Sequence, residues 1–257
     1  MSDEKSLKYN EPWILQRADP YVYRHTDGSY YFTASVPAYD GIVLRRAGTL
    51  AELSGAEEVM VWKKHESGPM SYHIWAPEIH YLFGKWYIYF AGGEAEDIWK
   101  IRPYVLECSG DDPLTDEWVE LGKMKRAAED EFSFEAFSLD ATVFENKGEY
   151  YYVWAEKVGV GKMISNLYIA KMESGNQLKT VQILLTTPDY DWERKGFWVN
   201  EGPAVIHHDG KLFLTYSASE TGVDYCVGML SIDEDADILD PLSLIHISEP
   251  TRLLSIS

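Results

Sequence analysis

Apolar positions along this chain come in short runs that alternate with polar residues or fill completely, and no long stretch follows a helical period. Four segments share one order of residue types: "ADPYVYRHTDGSYYFTAS" (18–35), "APEIHYLFGKWYIYFAGG" (76–93), "LDATVFENKGEYYYVWAE" (139–156) and "NEGPAVIHHDGKLFLTYSAS" (200–219). Each opens on an acid among small residues or proline and runs into a short apolar strand. Each then turns at Gly28, Gly84, Gly148 or Gly210 and closes on an aromatic strand. Aromatic and β-branched residues suit a pleated surface and glycine suits the tight turn, so the pattern predicts a hairpin four times over. Third strands are predicted at "GIVLRRA" (41–47), "YVLECS" (104–109), "NLYIAKM" (166–172) and "YCVGMLSI" (225–232). The segment "TLAELSGAEEVMVW" (49–62) has room for one helical turn at most.

The acids that open the four segments, Asp19, Glu78, Asp140 and Glu201, follow one another at 59, 62 and 61 residues. A repeat of about sixty residues holding about four strands predicts sheets that bury their faces by stacking on their neighbours, as in a β-propeller. A lone aspartate beside an apolar strand reads as a turn or cap residue, because burying it unpaired costs several kcal/mol. Four acids at one repeat position read differently. The first strands of propeller blades line the central channel, so these carboxylates are expected to converge there and shift one another's protonation. Converging carboxylates serve two chemistries: cleavage of a glycosidic bond by an acid and a base, or ligation of a hard cation such as calcium. The residues alone leave both open.

Composition narrows the classes. The 257 residues carry a formal charge of −19, which disfavours nucleic acid and anionic membrane as partners. Nine Trp and eighteen Tyr suit strands and stacking on sugar faces. No apolar run reaches eighteen residues, and no P-loop, dinucleotide fingerprint or zinc-ligand spacing is present. The opening "MSDEKSLKYN" lacks an apolar core, so a cytoplasmic protein is expected, with Cys108 and Cys226 as buried thiols.

The motifs "ADPYV", "HIWAPEIH", "SLDATVF" and "NEGPAVI", in this order and spacing, resemble glycoside hydrolase family 43. The surrounding "SVPAYDGIVLRRA", "KIRPYVLEC", "YDWE" and "LTYSAS" resemble its α-L-arabinofuranosidase members over residues 10–240. The resemblance implies an all-β, five-bladed propeller, of which four blades are expected here. It implies an inverting hydrolase that releases terminal α-L-arabinofuranosyl residues from arabinan or arabino-oligosaccharides. Asp19 would be the general base, Glu201 the general acid, and Asp140 the residue that orients Glu201 and raises its pKa. Base and acid would then stand roughly 6.5–9.5 Å apart to admit water.

Trp75 and Asn166 are the candidate substrate-binding residues, while Glu78, His73, His207 and His208 are read as structural. No cofactor is expected, apart from a structural calcium at the propeller axis of a full-length protein. A β-xylosidase of the same family and a non-catalytic carbohydrate-binding propeller are the alternatives. The four dissimilar blade openings favour one composite site over repeated lectin sites. Residues 1–17 are read as an N-terminal segment and 18–241 as the propeller. Residues 242–257, "LSLIHISEPTRLLSIS", read as a non-native tail resembling translated sequencing adapter. A chain one blade short is expected to keep its three carboxylates and lose most activity.

Overall fold

The computed structural model describes residues 12–159, 163–240, 243 and 245–252. Strands dominate. β1 (Ala18–Arg24), β2 (Tyr30–Ser35), β3 (Gly41–Ala47) and β4 (Val59–Lys63) form the first antiparallel sheet, in chain order. β5 (Tyr72–Leu82), β6 (Lys85–Glu94), β7 (Asp97–Cys108) and β8 (Val119–Lys123) form the second. The third holds β9 (Ser138–Asn146), β10 (Glu149–Gly159) and β11 (Met163–Ser174), with β12 (Gln177–Leu178) and β13 (Ile183–Thr186) along the edge of β11. The fourth holds β14 (Trp198–His208), β15 (Lys211–Ala218), β16 (Cys226–Asp233) and β17 (Ile245–Arg252). A short parallel contact, Ile164 to Trp198 and Ser165 to Val199, stitches the third sheet to the fourth. These are the consecutive blades that the hairpin repeat predicts.

Turn chemistry sets the hairpins. Phe83–Gly84, Lys147–Gly148 and Asp209–Gly210 each place two successive residues at positive φ, the backbone of a type I′ turn, whose twist matches that of the strands it joins. The predicted helical turn is a 3-10 helix at Leu50–Gly55.

The middle strands are apolar throughout because both of their faces are covered. Successive side chains point to opposite sides. On β10, Tyr152 and Trp154 join a core with Tyr89 and Val105 of the second sheet, whereas Tyr151, Val153 and Ala155 join one with Leu212 and Leu230 of the fourth. A third core packs Ile42 and Leu44 of the first sheet against Ile79, Trp86 and Ile88 of the second. Among the described residues no such core joins the fourth sheet to the first. Cys108 and Cys226 are buried, in different sheets.

The C-terminal end carries one more strand. The segment expected to lie outside the propeller pairs its backbone with β16 as β17, through Cys226–Arg252, Val227–Thr251 and Met229–Ile247. An open sheet edge offers N–H and C=O groups that any extended segment can use, so the pairing does not need the aromatic pattern of the other strands.

Candidate active site

Each first strand carries the same irregularity. The pairings Ala18–Ser35 and Tyr21–Thr33, Trp75–Ala91 and Glu78–Tyr89, Leu139–Ala155 and Thr142–Val153, and Glu201–Ser217 and Ala204–Thr215 each bracket a β-bulge. The first residue of each bulge has positive φ: Asp19 at 50°, Ala76 at 44°, Asp140 at 51° and Gly202 at 57°. Glycine enters this region freely and aspartate more readily than most residues. A bulge bends the strand and re-aims its side chains, which is why bulges recur beside active sites.

This register corrects the idea of four acids at one repeat position. Asp19 and Asp140 occupy the bulge position itself, Glu201 precedes it by one residue, and Glu78 follows it by two. The four still come together. A cavity of about 300 Å³ is walled by Asp19, Tyr21, Glu78, Asp140, Gly202 and Tyr225. The Glu201 carboxylate reaches this group through Tyr225, whose hydroxyl donates to Glu201 Oε1 at 2.9 Å. Opposite it, Ser35 Oγ donates to Asp19 Oδ2 at 2.8 Å and accepts the Ala76 N–H at 2.8 Å, tying the first blade to the second. The Gly202 N–H donates to Asp140 Oδ2 at 3.1 Å, tying the fourth blade to the third. A larger hollow of about 680 Å³ beneath residues 12–18 presents no carboxylate.

Protonation follows from this crowding. Burial pushes the Asp140 carboxyl well above the usual carboxylate range, and the charges of Glu201, Asp19 and Glu78 push it further, against the Gly202 hydrogen bond. Glu201 is raised by burial and by Asp19, with the Tyr225 hydrogen bond and the Lys157 cation pulling it down. Asp140 and Glu201 therefore titrate as a pair. For both, burial is the first cause of the rise, and a neighbouring acid adds to it. The Lys157 ammonium, lying 3.7 Å from the Phe137 ring centroid, is itself held below its ordinary value by burial.

The remaining candidates fall elsewhere. Trp75 does not wall the cavity; its ring packs against His73 at 4.2 Å and lies in a group with Tyr39 and exposed Trp99. Asn166 is buried on β11 and donates to the Tyr168 hydroxyl at 3.1 Å, because its register pairs it with Glu156 deep in the third sheet. Glu78, read as structural, faces the cavity. His207 and His208 are solvated at the far end of β14. Tyr225, Ser35 and Tyr21 were not singled out, although Tyr21 lies within "ADPYV" and Ser35 opens "SVPAYDGIVLRRA". A signal for Ser35 was present: the small residues Ser35, Ala91, Ala155 and Ser217 pair with the residue before each bulge and leave room above it. No group of three His, Cys, Asp or Glu side chains is placed to hold a metal ion among the described residues.

Four acids, one from each sheet, meet at or beside one small cavity, an arrangement that suits cleavage of a glycosidic bond on a propeller scaffold. The chain belongs to glycosyl hydrolase family 43, whose family model matches residues 9–249. It is 48% identical to an extracellular exo-α-(1→5)-L-arabinofuranosidase of Streptomyces chartreusis, over 91% of this chain and 69% of that protein. It is 47% identical to a protein of the same name from Streptomyces avermitilis, over 95% of this chain, and spans about half (50%) of that relative's length. The crystal structure of an α-L-arabinofuranosidase from Lactobacillus brevis superposes with a TM-score of 0.85 at 51% identity, over 93% of this chain and 75% of that one. The two Streptomyces relatives are named extracellular, which overturns the cytoplasmic expectation. A secretory leader is removed from the mature protein, so the residues of a folded domain are a poor guide to export.

Proposed function

We propose that the protein is an inverting exo-α-L-arabinofuranosidase that releases terminal α-L-arabinofuranosyl residues from arabinan or arabino-oligosaccharides. The observation that carries this reading is the meeting of Asp19, Asp140 and the Tyr225–Glu201 pair at one cavity. Asp19, aimed by Ser35, takes a proton from the water that attacks the anomeric carbon. Glu201 gives its proton to the departing glycosidic oxygen as the C–O bond breaks, and the configuration at the anomeric carbon inverts. Asp140 holds the Gly202 amide beside Glu201 and, when charged, favours the protonated form of Glu201. Trp75, one residue before cavity-lining Ala76, carries a sugar-stacking face in this reading. The names of relatives at 47–48% identity favour the arabinofuranoside over the xyloside.

The test compares p-nitrophenyl α-L-arabinofuranoside with p-nitrophenyl β-D-xylopyranoside, with Glu201→Gln as control. Arabinoside hydrolysis abolished by the substitution is expected. Folded protein that cleaves neither glycoside, yet binds arabino-oligosaccharide, would favour the carbohydrate-binding reading.

A further inference from the structure

Glu78 enters the cavity beside the proposed catalytic acids without a part in the proton transfers above. Its side chain is 16% exposed, and that exposure faces the cavity. Its Oε2 lies 2.9 Å from His80 Nε2. The other ring nitrogen, Nδ1, lies 3.4 Å from the Tyr21 hydroxyl, and Tyr21 lines the same cavity. His80 is buried, with its ring fixed between Tyr21, at 5.0 Å, and Tyr89, at 5.8 Å. Both ends of one hydrogen-bonded chain thus open on the space where a sugar would sit. The His80 ring joins the two ends, with Nε2 facing the Glu78 carboxyl and Nδ1 facing the Tyr21 hydroxyl.

Two other buried glutamates show what a purely structural carboxylate looks like in this fold. Glu156 is fully enclosed and accepts from the Phe134 and Ala136 amides and the Trp154 indole. Glu193 is fully enclosed and accepts from the Asp189 and Tyr190 amides, the Asn200 side chain and the Tyr216 hydroxyl. Glu78 is served by His80 and the Thr142 hydroxyl and keeps acceptor capacity turned to the cavity. A furanosyl ring offers hydroxyl donors to such an acceptor.

We propose that Glu78 is a substrate-contacting residue: its carboxylate accepts a hydrogen bond from a ring hydroxyl of the terminal sugar, with His80 and Tyr21 as positioning residues. The inference rests on the arabinofuranosidase reading and names a contact that the reading does not require. It also accounts for why an acid two residues past the bulge, out of register with the others, still points inward.

The test is calorimetric titration of α-1,5-L-arabinotriose into the Glu201→Gln protein, where turnover is blocked, and into the same protein carrying Glu78→Gln. Loss of a hydrogen bond to a charged acceptor predicts affinity weaker by roughly 10- to 100-fold. Tyr21→Phe, which keeps the ring and removes the hydroxyl, is expected to weaken binding by roughly 2- to 10-fold and serves if the first variant fails to fold. Monodeoxy arabinofuranosides separate contact from structure: for one of them the cost of Glu78→Gln disappears. Equal affinity of parent and variant for arabinotriose overturns the proposal, as does a loss that is the same for every deoxy analogue. A Glu201→Gln parent that binds no arabinotriose overturns the functional reading itself, and this contact with it, before position 78 is altered.

Discussion

Tyr225, just before β16, donates its hydroxyl hydrogen to Glu201 Oε1 at 2.9 Å and itself lines the cavity. The bond favours the ionised form of Glu201, so it opposes the burial that raises this acid. Removing it lets Glu201 keep its proton to higher pH. Tyr225→Phe is therefore expected to move the alkaline limb of kcat/KM upward, while the plateau falls roughly 2- to 10-fold from lost positioning. A pH–rate profile checks both, and a limb displaced downward would remove Glu201 from the acid's role.

Asp140 trades stability for its position. Its pKa is raised in the folded protein, so the native state holds a proton that the unfolded chain has released. Stability from this group is complete below the ordinary aspartate range, near pH 4, and declines as pH climbs toward the raised value. Asp140→Asn, which can still accept the Gly202 N–H, is expected to raise the melting temperature at neutral pH by about 2–4 °C for each kcal/mol recovered. The gain should vanish near pH 4, while kcat falls about 10²- to 10⁴-fold at every pH. A variant that melts lower at neutral pH and higher in acid would reverse the sign.

Ser35 joins two blades through one oxygen, donating to Asp19 and accepting from Ala76. Ser35→Ala frees the Asp19 side chain to rotate and leaves the Ala76 amide without its acceptor. The expected result is a loss of about 1–3 kcal/mol of stability, together with a fall in kcat that leaves KM little changed. Thermal melting and steady-state kinetics on one aryl arabinofuranoside separate the two effects. A rise in KM at constant kcat would mean that Ser35 serves binding instead.

Glu193 lies outside the cavity but underpins it. Its Oε2 accepts the Asp189 and Tyr190 amides at 2.7 and 2.8 Å, and its Oε1 accepts from Asn200 at 3.3 Å and Tyr216 at 2.8 Å. Asn200 immediately precedes Glu201. An amide at this position must point an NH₂ at one of these donor pairs, so Glu193→Gln is expected to cost about 2–4 kcal/mol. Denaturant titration measures that loss. A variant within about 0.5 kcal/mol of the parent would mean that the loop relaxes around the amide.

Much of the architecture was legible because its causes are local. Aromatic strands, glycine turns and a repeat of about sixty residues identify four hairpins, and the hairpins recur at β1–β2, β5–β6, β9–β10 and β14–β15. The bulges were not legible. A bulge is a mismatch between two strands, visible only when both are paired, so the acids seemed to share a register they do not share. Asn166 shows a related limit: its strand was placed correctly, but which face of β11 it occupies depends on a pairing that alternates every residue.

The sequence by itself determined the strands and the turns, because each depends on residue type and near neighbours, and it offered Asp19, Asp140 and Glu201 as the candidate acids. Only the tertiary structure decided that Tyr225 meets Glu201, that Ser35 spans two blades, and that Glu78 opens into the cavity through a chain with His80 and Tyr21. Those contacts link side chains from different strands, or from different sheets, whose packing sets them at hydrogen-bond distance. Hydrogen bonding and carboxylate protonation act across a few ångströms of space, and a one-dimensional pattern holds no record of which residues stand that close.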